Sequence, residues 1–459
     1  MSPRLRFAVP ALLVVAVAIV GLLLTNGGGL IAVDPGRATP SAGAGGPGGS
    51  GGSGTPEPTA IPTPTPRPGV GGTELFGYLP YWQMSESDAT YLESVPLSTL
   101  SMFSVSARRN GAVNNGDLGY KRITSALGRR IIAGAQAKGT RVELVFTSFG
   151  GPRNGIFFGR LPISTPLASP SPGITPSDGI APTLAPSPTP SPTPSPATGP
   201  SGPPPVPPWH RTVGELVDLA IDLGVDGINV DVEQLDALDV NAYGEFLGAL
   251  RTALRLAKPD ATVSVATEAG LRGMGNAIAA TGAGVDRIFL MGYDYHWSGS
   301  QPGASSPIDR TDGLYTLRWS IEQYVAAGVP RDRIVLGLPL YGMTWLTIGP
   351  DRREQVLGRG ATWIPNRHLD VLLDPKFAPA RDPLEVVEWF VRADGDAWRL
   401  TFYDSPATLR EKLALARDQG LAGGGFWAIG YERGLPGYLE LMRDFRSGSV
   451  ARDEAPPAP

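Results

Sequence analysis

Cysteine is absent from the 459-residue sequence, which excludes disulfides, thiol nucleophiles and thiolate metal sites. Histidine is scarce: His210, His296 and His368 are the whole supply, their spacing fits no metal-ligand pattern, and each reads as a polar surface or rim residue. An excess of charge is missing too. With 39 basic and 43 acidic side chains and a formal net charge of −4, the chain offers no electropositive face to a nucleic acid. No metal or cofactor is implied, so any catalysis has to rest on carboxylates and tyrosines.

What the sequence has in plenty is Gly and Pro, 60 and 47 residues, and much of both is gathered into two tracts. Residues 27–72 are Gly, Pro, Ser and Thr with few large apolar side chains; they cannot bury enough surface to fold and read as a disordered tether. Residues 161–208 are Pro/Ser/Thr-rich and include the run Ser187-Pro188-Thr189-Pro190-Ser191-Pro192-Thr193-Pro194, which favours extended polyproline II and forms no core. A polar, Pro-rich tail fills 448–459. At the other end, Arg4 and Arg6 precede an apolar run without charges over 7–24, longer than a usual signal-peptide core and without an A-x-A cleavage pattern directly after it. An uncleaved signal anchor over 1–26 is expected, with a cleaved signal peptide as the alternative. In both cases the remainder is exported, either held at the outer face of the cell membrane or secreted.

The folded part, 73–447, is organised around Asp226-Gly227-Ile228-Asn229-Val230-Asp231-Val232-Glu233. At the two-residue period of a strand, Ile228, Val230 and Val232 point one way and Asn229, Asp231 and Glu233 the other. The preceding segment, Thr212 to Gly224, reads as a helix with an apolar stripe of Val213, Leu216, Val217, Ala220 and Ile221, a capping box of Thr212 and Glu215, and a stop at Gly224. A helix feeding a strand predicts a parallel sheet covered on both faces, where a row of polar groups is not simply facing water. Strands are expected at 75–82, 99–105, 141–149, 262–267, 286–294, 334–341 and 424–429, with helical patterns such as 315–327 and 407–419 between them. With the acidic strand this makes eight strand-helix units, a TIM (β/α)8 barrel. The Pro/Ser/Thr tract then falls in the loop after strand three, on the catalytic face.

The run DGINVDVE resembles the signature strand D-G-x-D-x-D-x-E of glycoside hydrolase family 18, the chitinases and their relatives. Asp226, Asp231 and Glu233 match its acidic positions and Asn229 replaces the middle Asp. Ser148-Phe149-Gly150-Gly151, Met291-Gly292-Tyr293-Asp294, Gly337-Leu338-Pro339-Leu340-Tyr341-Gly342, Gly424-Gly425-Phe426-Trp427 and Gly430-Tyr431-Glu432 follow the family pattern in order. The resemblance implies a small α+β insertion over 343–399 that walls the cleft. With Asn at position 229 the chain is similar to the branch that includes spore-cortex and peptidoglycan N-acetylglucosaminidases.

Breaking a glycosidic bond near neutral pH needs a group that protonates the leaving oxygen, and Glu233 beside Asp231 suits this, since two like charges so close hold one proton longer than either alone. The resemblance implies that the substrate's 2-acetamido oxygen is the nucleophile, with Asp231 orienting the acetamido N–H and Tyr293 donating to its oxygen. Asn229, Asp294, Trp427, Tyr78, Tyr341 and Ser148 are the expected substrate-binding residues. Tyr293 and Asp294 could instead end a strand against a loop, Trp427 could be barrel core, and Tyr78, Ser148 and Tyr341 divide evenly between cleft and structural roles. The expected partner is an N-acetylglucosamine polymer, chitin or peptidoglycan, bound by a monomer. The rival reading is a lectin-like protein that keeps the cleft without turnover, against which Glu233 stands; a surface adhesion protein has only the two tracts in its favour.

Overall fold

Segments that are apolar on both faces can persist only where both faces are covered, and the strands of the central sheet are buried along almost their whole length. The computed structural model describes residues 73–160, 206–313 and 315–450. In chain order the strands are β1 (Glu74–Pro80), β2 (Thr99–Ser106), β3 (Arg141–Phe149), β4 (Gly227–Glu233), β5 (Thr262–Glu268), β6 (Arg287–Met291), β7 (Ile334–Pro339), β8 (Gly342–Thr347), β9 (Ala361–Trp363), β10 (Ala380–Asp382), β11 (Val387–Asp394), β12 (Ala397–Tyr403) and β13 (Gly423–Trp427). Strands β1 to β7 and β13 close into a parallel barrel, ordered β1-β13-β7-β6-β5-β4-β3-β2, with helices between them. Ile228, Val230 and Val232 point outward into the layer of Leu216, Ala220, Leu247 and Leu250, so the outer core is helix packed on sheet.

The interior is a second core of Phe76, Tyr78, Phe103, Val145, Ala266, Phe289, Met291 and Val335. Phe289 crosses the barrel axis because its neighbours on β7 and β13 are glycines: a Cβ on Gly337 would lie 2.3 Å from the ring, and one on Gly425 2.6 Å. Below that layer, Glu143 of β3 is fully enclosed and accepts hydrogen bonds from Thr262 Oγ1 (2.9 Å) and Ser264 Oγ (2.6 Å). Burial raises this carboxyl to about 7, the two hydroxyls acting in the opposite direction. The rim at the strands' N-terminal ends is tied by aspartates. Asp226 accepts from the Val142 backbone N–H (3.0 Å) and Asp286 from that of Val263 (2.9 Å), each next to a basic partner, Lys258 and Arg255.

Several sequence expectations shift. The helix before β4 spans Trp209–Leu223, and the capping box does not exist: its N-cap is Pro208, which donates and accepts nothing through its side chain. Thr212 is instead buried inside the helix with its hydroxyl on the Gly111 carbonyl (2.6 Å), and Glu215 accepts from Val113 N–H (2.7 Å). Ile221 is 47 % exposed, off the buried stripe. The expected strand 75–82 ends at Pro80, where Tyr81–Gln83 turns, and the expected strand 286–294 ends at Met291. The anchor and linker expected over 1–72, residues 161–205 of the Pro/Ser/Thr tract and the tail from 451 lie outside the described residues. Among the described residues no helix is long and apolar enough to cross a membrane.

Between β7 and β13 the strands β8 to β12 form a separate antiparallel sheet, ordered β10-β11-β12-β8-β9. It joins the barrel through the loop after β6, where Trp345 Nε1 donates to Ser300 O (3.1 Å), and through buried Lys412, which is ion-paired with Asp404 and bonded to Ser306. No residue of these strands lines the central cleft; the insertion reaches its rim through Arg359, 5.6 Å from the Trp297 ring.

Two outcomes are expected. Gly159 sits against Pro207, where a Cβ would come within 2.8 Å, so the chain leaves at 160 and returns at 206 side by side. Because each halving of a loop changes its closure free energy by only about 0.6 kcal/mol, replacing 161–205 with a short Gly/Ser bridge should leave the thermal midpoint unchanged or slightly raised. A fall of more than roughly 5 °C would show that the segment packs. Glu143, held protonated, contributes stability that is complete below the ordinary carboxyl range and is lost as pH rises to about 7. Glu143→Gln should therefore make the decline in unfolding free energy between pH 5 and 7 shallower, by up to about 1.4 kcal/mol per pH unit. Parallel curves for the two proteins would mean that Glu143 ionises as an ordinary glutamate.

Candidate active site

The register of β4 decides what reaches the open end of the barrel. Asn229 lies between Val145 and Ser264, Asp231 between Thr147 and Ala266, and Glu233 beside Phe149, so the three polar side chains climb one inward-facing row. Asn229 is fully enclosed at the bottom of this row, donating to Ser264 Oγ at 2.7 Å. Asp231 is 4 % exposed, and Glu233 at the top is half-buried at the cleft floor.

The cleft has a volume of about 480 Å³, lined by Asp231, Glu233, Tyr293, Asp294, Tyr341, Tyr78 and Trp427 among others. Trp427, the last residue of β13, stands edge-on to Phe103 (4.7 Å between centroids) and close to Tyr78 and Trp82 (5.7 and 6.3 Å), which makes an aromatic floor. Tyr293 and Tyr341 cross at 6.1 Å, and Tyr341 donates to Asp294 Oδ1 at 2.5 Å. Asp294 adopts a positive φ of 60° while its N–H donates to Ser305 Oγ (3.0 Å), so the turn after β6 is held from both sides. Trp82 and Phe149 are half exposed at one end of the cleft, Trp297 and Tyr315 in the cavity at the other.

The electrostatics favour protons staying on. Burial, then Glu268 and Asp294, raise Glu233 to about 7. Asp231 is pushed up by burial, by Glu233 and by Glu268, so the two carboxyls share their protons as a pair. Tyr293 is raised further by burial and by Tyr341, Tyr78, Asp231 and Glu233, and its phenol remains a hydrogen-bond donor. One oxygen of Asp231 and the hydroxyl of Tyr78 have no hydrogen-bond partner, though Asn229 lies beside the phenol. Such a site can protonate one group, orient another and stack a flat apolar face.

Two expected substrate contacts stand apart. Asn229 lies below the cleft, linked through Ser264 to the buried Glu143 one layer further down. Ser148 points outward beside Val232, donating to Asn154 Oδ1 (2.7 Å), and Asn154 in turn donates to the Glu233 carbonyl (2.7 Å); it braces the strand end from behind. Glu268 was not among the expected residues. The alternation on β5, with Val263 and Val265 outward and Ser264, Ala266 and Glu268 inward, was a signal for it. His296, expected at the surface, is buried with Nδ1 against Gln301 O (2.7 Å) and lowered by burial to about 4, hence neutral. Among the described residues no group of three or more His, Asp or Glu is placed to hold a metal.

Residues 210–432 match the family described as glycosyl hydrolases family 18. The chain is 28% identical over 239 residues to Endochitinase 1 of Metarhizium robertsii, covering 49% of this chain and 56% of that protein. It is 27% identical over 230 residues to the cortical fragment-lytic enzyme of Bacillus subtilis, covering 48% and 50%. The chain thus spans about half the length of the curated relatives it matches. The crystal structure of the Bacillus cereus spore cortex-lytic enzyme SleL has the same fold, with a TM-score of 0.58, 19% identity, and 82% of this chain and 74% of that one covered.

Proposed function

The chain belongs to glycosyl hydrolase family 18, and from this premise we propose that it hydrolyses polymers of β-linked N-acetylglucosamine, chitin or peptidoglycan, with retention at the anomeric carbon. The observation that carries the proposal is the Asp231–Glu233 pair, stacked on one inward row of β4 under Tyr293 and beside Trp427. Glu233, which keeps its proton up to about pH 7, gives it to the leaving oxygen as the C–O bond breaks. The substrate's acetamido oxygen closes onto the anomeric carbon from the opposite face, forming an oxazolinium ion. Asp231 accepts the acetamido N–H, its charge balancing the cation, and the Tyr293 hydroxyl donates to the acetamido oxygen. The Glu233 carboxylate then takes a proton from water as that water opens the ring, restoring both the acid and the original configuration. Trp427 underlies the apolar face of the sugar.

The names of the relatives, an endochitinase and a cortical fragment-lytic enzyme, support the substrate class and leave both polymers in it. The apolar run within 1–26, with Arg4 and Arg6 before it, supports export and an anchored or secreted location. A product assay on chitin oligomers beside purified peptidoglycan divides the substrates.

Glu233→Gln keeps the shape and cannot act as an acid, so turnover should fall on the order of 10²- to 10⁴-fold while sugar binding persists. Retention of more than about a tenth of the activity would remove Glu233 from that role. A thiazoline analogue of N-acetylglucosamine should inhibit, and Asp231→Ala and Tyr293→Phe should each weaken it more than they weaken the product sugar. A covalent glycosyl-enzyme trapped on Asp231 by a fluorosugar would make that residue an ordinary nucleophile instead.

A further inference from the structure

The ladder between β4 and β5 sets Asn229 against Ser264 and Asp231 against Ala266. Continuing both strands by two residues brings Glu233 beside Glu268 on the same inward face, two carboxylates as lateral neighbours where like charges oppose each other. Both line the cavity that also holds Tyr293, Asp294, Trp297 and Tyr315. Glu268 cannot swing away with its backbone: its carbonyl accepts from Tyr324 (2.5 Å) and the next carbonyl from Ser320 (2.7 Å). The helix Leu271–Gly282 is pressed so close that a Cβ on Gly273 would lie 1.7 Å from the Glu268 oxygen. Among the described residues, one carboxylate oxygen, Oε2, is buried without a partner, and the other meets only Arg272 at 3.4 Å, an i,i+4 pair whose arginine is 55 % exposed and therefore screened by solvent.

The charged groups facing Glu233 are Asp231 on its own strand, Glu268 from β5, and Asp294 with Tyr293 after β6. Arg153 at the far side of the cleft is bonded to the Ala107 carbonyl (2.6 Å), and Arg310 pairs with Asp312 (2.6 Å). No ion pair among the described residues includes Glu233.

We propose that Glu268 is a positioning residue for the acid: its negative charge, fixed beside Glu233 by the strand register, keeps the proton on Glu233 to a higher pH than the Asp231–Glu233 pair alone would. Arg272 opposes it by neutralising part of that charge. The inference rests on Glu233 being the proton donor of the proposed reaction, yet the proton can be followed without turnover.

The test is a carboxyl-carbon NMR titration of Glu233 in the full chain, identified by its loss in Glu233→Gln, alongside the pH profile of kcat/KM. Glu268→Gln should move the Glu233 midpoint, and the upper limb of the profile, about one pH unit lower. Arg272→Ala should move both upward, and Glu268→Asp should restore most of the original behaviour. A structural role for Glu268 would alter melting temperature or plateau rate and leave the midpoint in place. An unmoved midpoint in Glu268→Gln, or shifts of the same sign in the Gln and Arg272→Ala proteins, overturns the inference. Midpoints that move as expected in a protein hydrolysing no N-acetylglucosamine polymer uphold it and defeat the functional reading alone.

Discussion

Everything in the site depends on a closed parallel barrel having no wet face. An acidic residue that points inward from one of its strands loses hydration and cannot recover it from a solvent-exposed side, so it must find donors or keep its proton. Glu143, deep inside, does both, with two hydroxyls and a raised titration point. Asp231 and Glu233, nearer the mouth, have neighbouring carboxylates where donors would be, so the pair holds a shared proton instead. The hydrogen-bonded carboxyl of the lower row and the carboxyl-flanked pair of the upper one come from a single gradient in the supply of donors along β4 and β5.

That gradient also separates the acidic positions of the signature strand by task. Asp226 sits outside the barrel end and fastens the β3 backbone, its charge balanced by Lys258. Asn229 is a neutral spacer between Tyr78 and Ser264. Asp231 and Glu233 alone face the cleft. A motif that reads as one acidic run is a rim tie, a spacer and a cleft-facing pair, distinguished by depth.

Period and spacing made much of this legible. The alternation over 226–233 told which side chains share a face, and the strand positions followed to within a few residues because buried parallel strands are continuous apolar runs between turns. Trp427, Tyr293, Asp294 and Tyr341 could be assigned to the cleft since each ends a barrel strand or its loop. Ser148 and Asn229 could not be read that way: parity says inward or outward, but the depth at which an inward group stops reaching the ligand depends on strand stagger, which no single strand reveals. Thr212 and Glu215 match a capping box by spacing, but the helix begins earlier, at Trp209, and contacts with Gly111 and Val113 use the same side chains. Glu268 stands alone, without a motif around it, so the alternation of β5 is the one sequence signal that marks it.

The fastening at the end of β3 bears on how this chain tolerates a long extra segment next to its chemistry. Asn154 holds the Glu233 carbonyl, and Arg160, the last described residue before the segment, grips Asp236 and Asp239 just beyond the acid. The two sides of the exit of β4 are thereby clamped to one short stretch, residues 151–160, much as a cable is gripped before it leaves its housing. The position of Glu233 is thus held by side chains that precede residue 161.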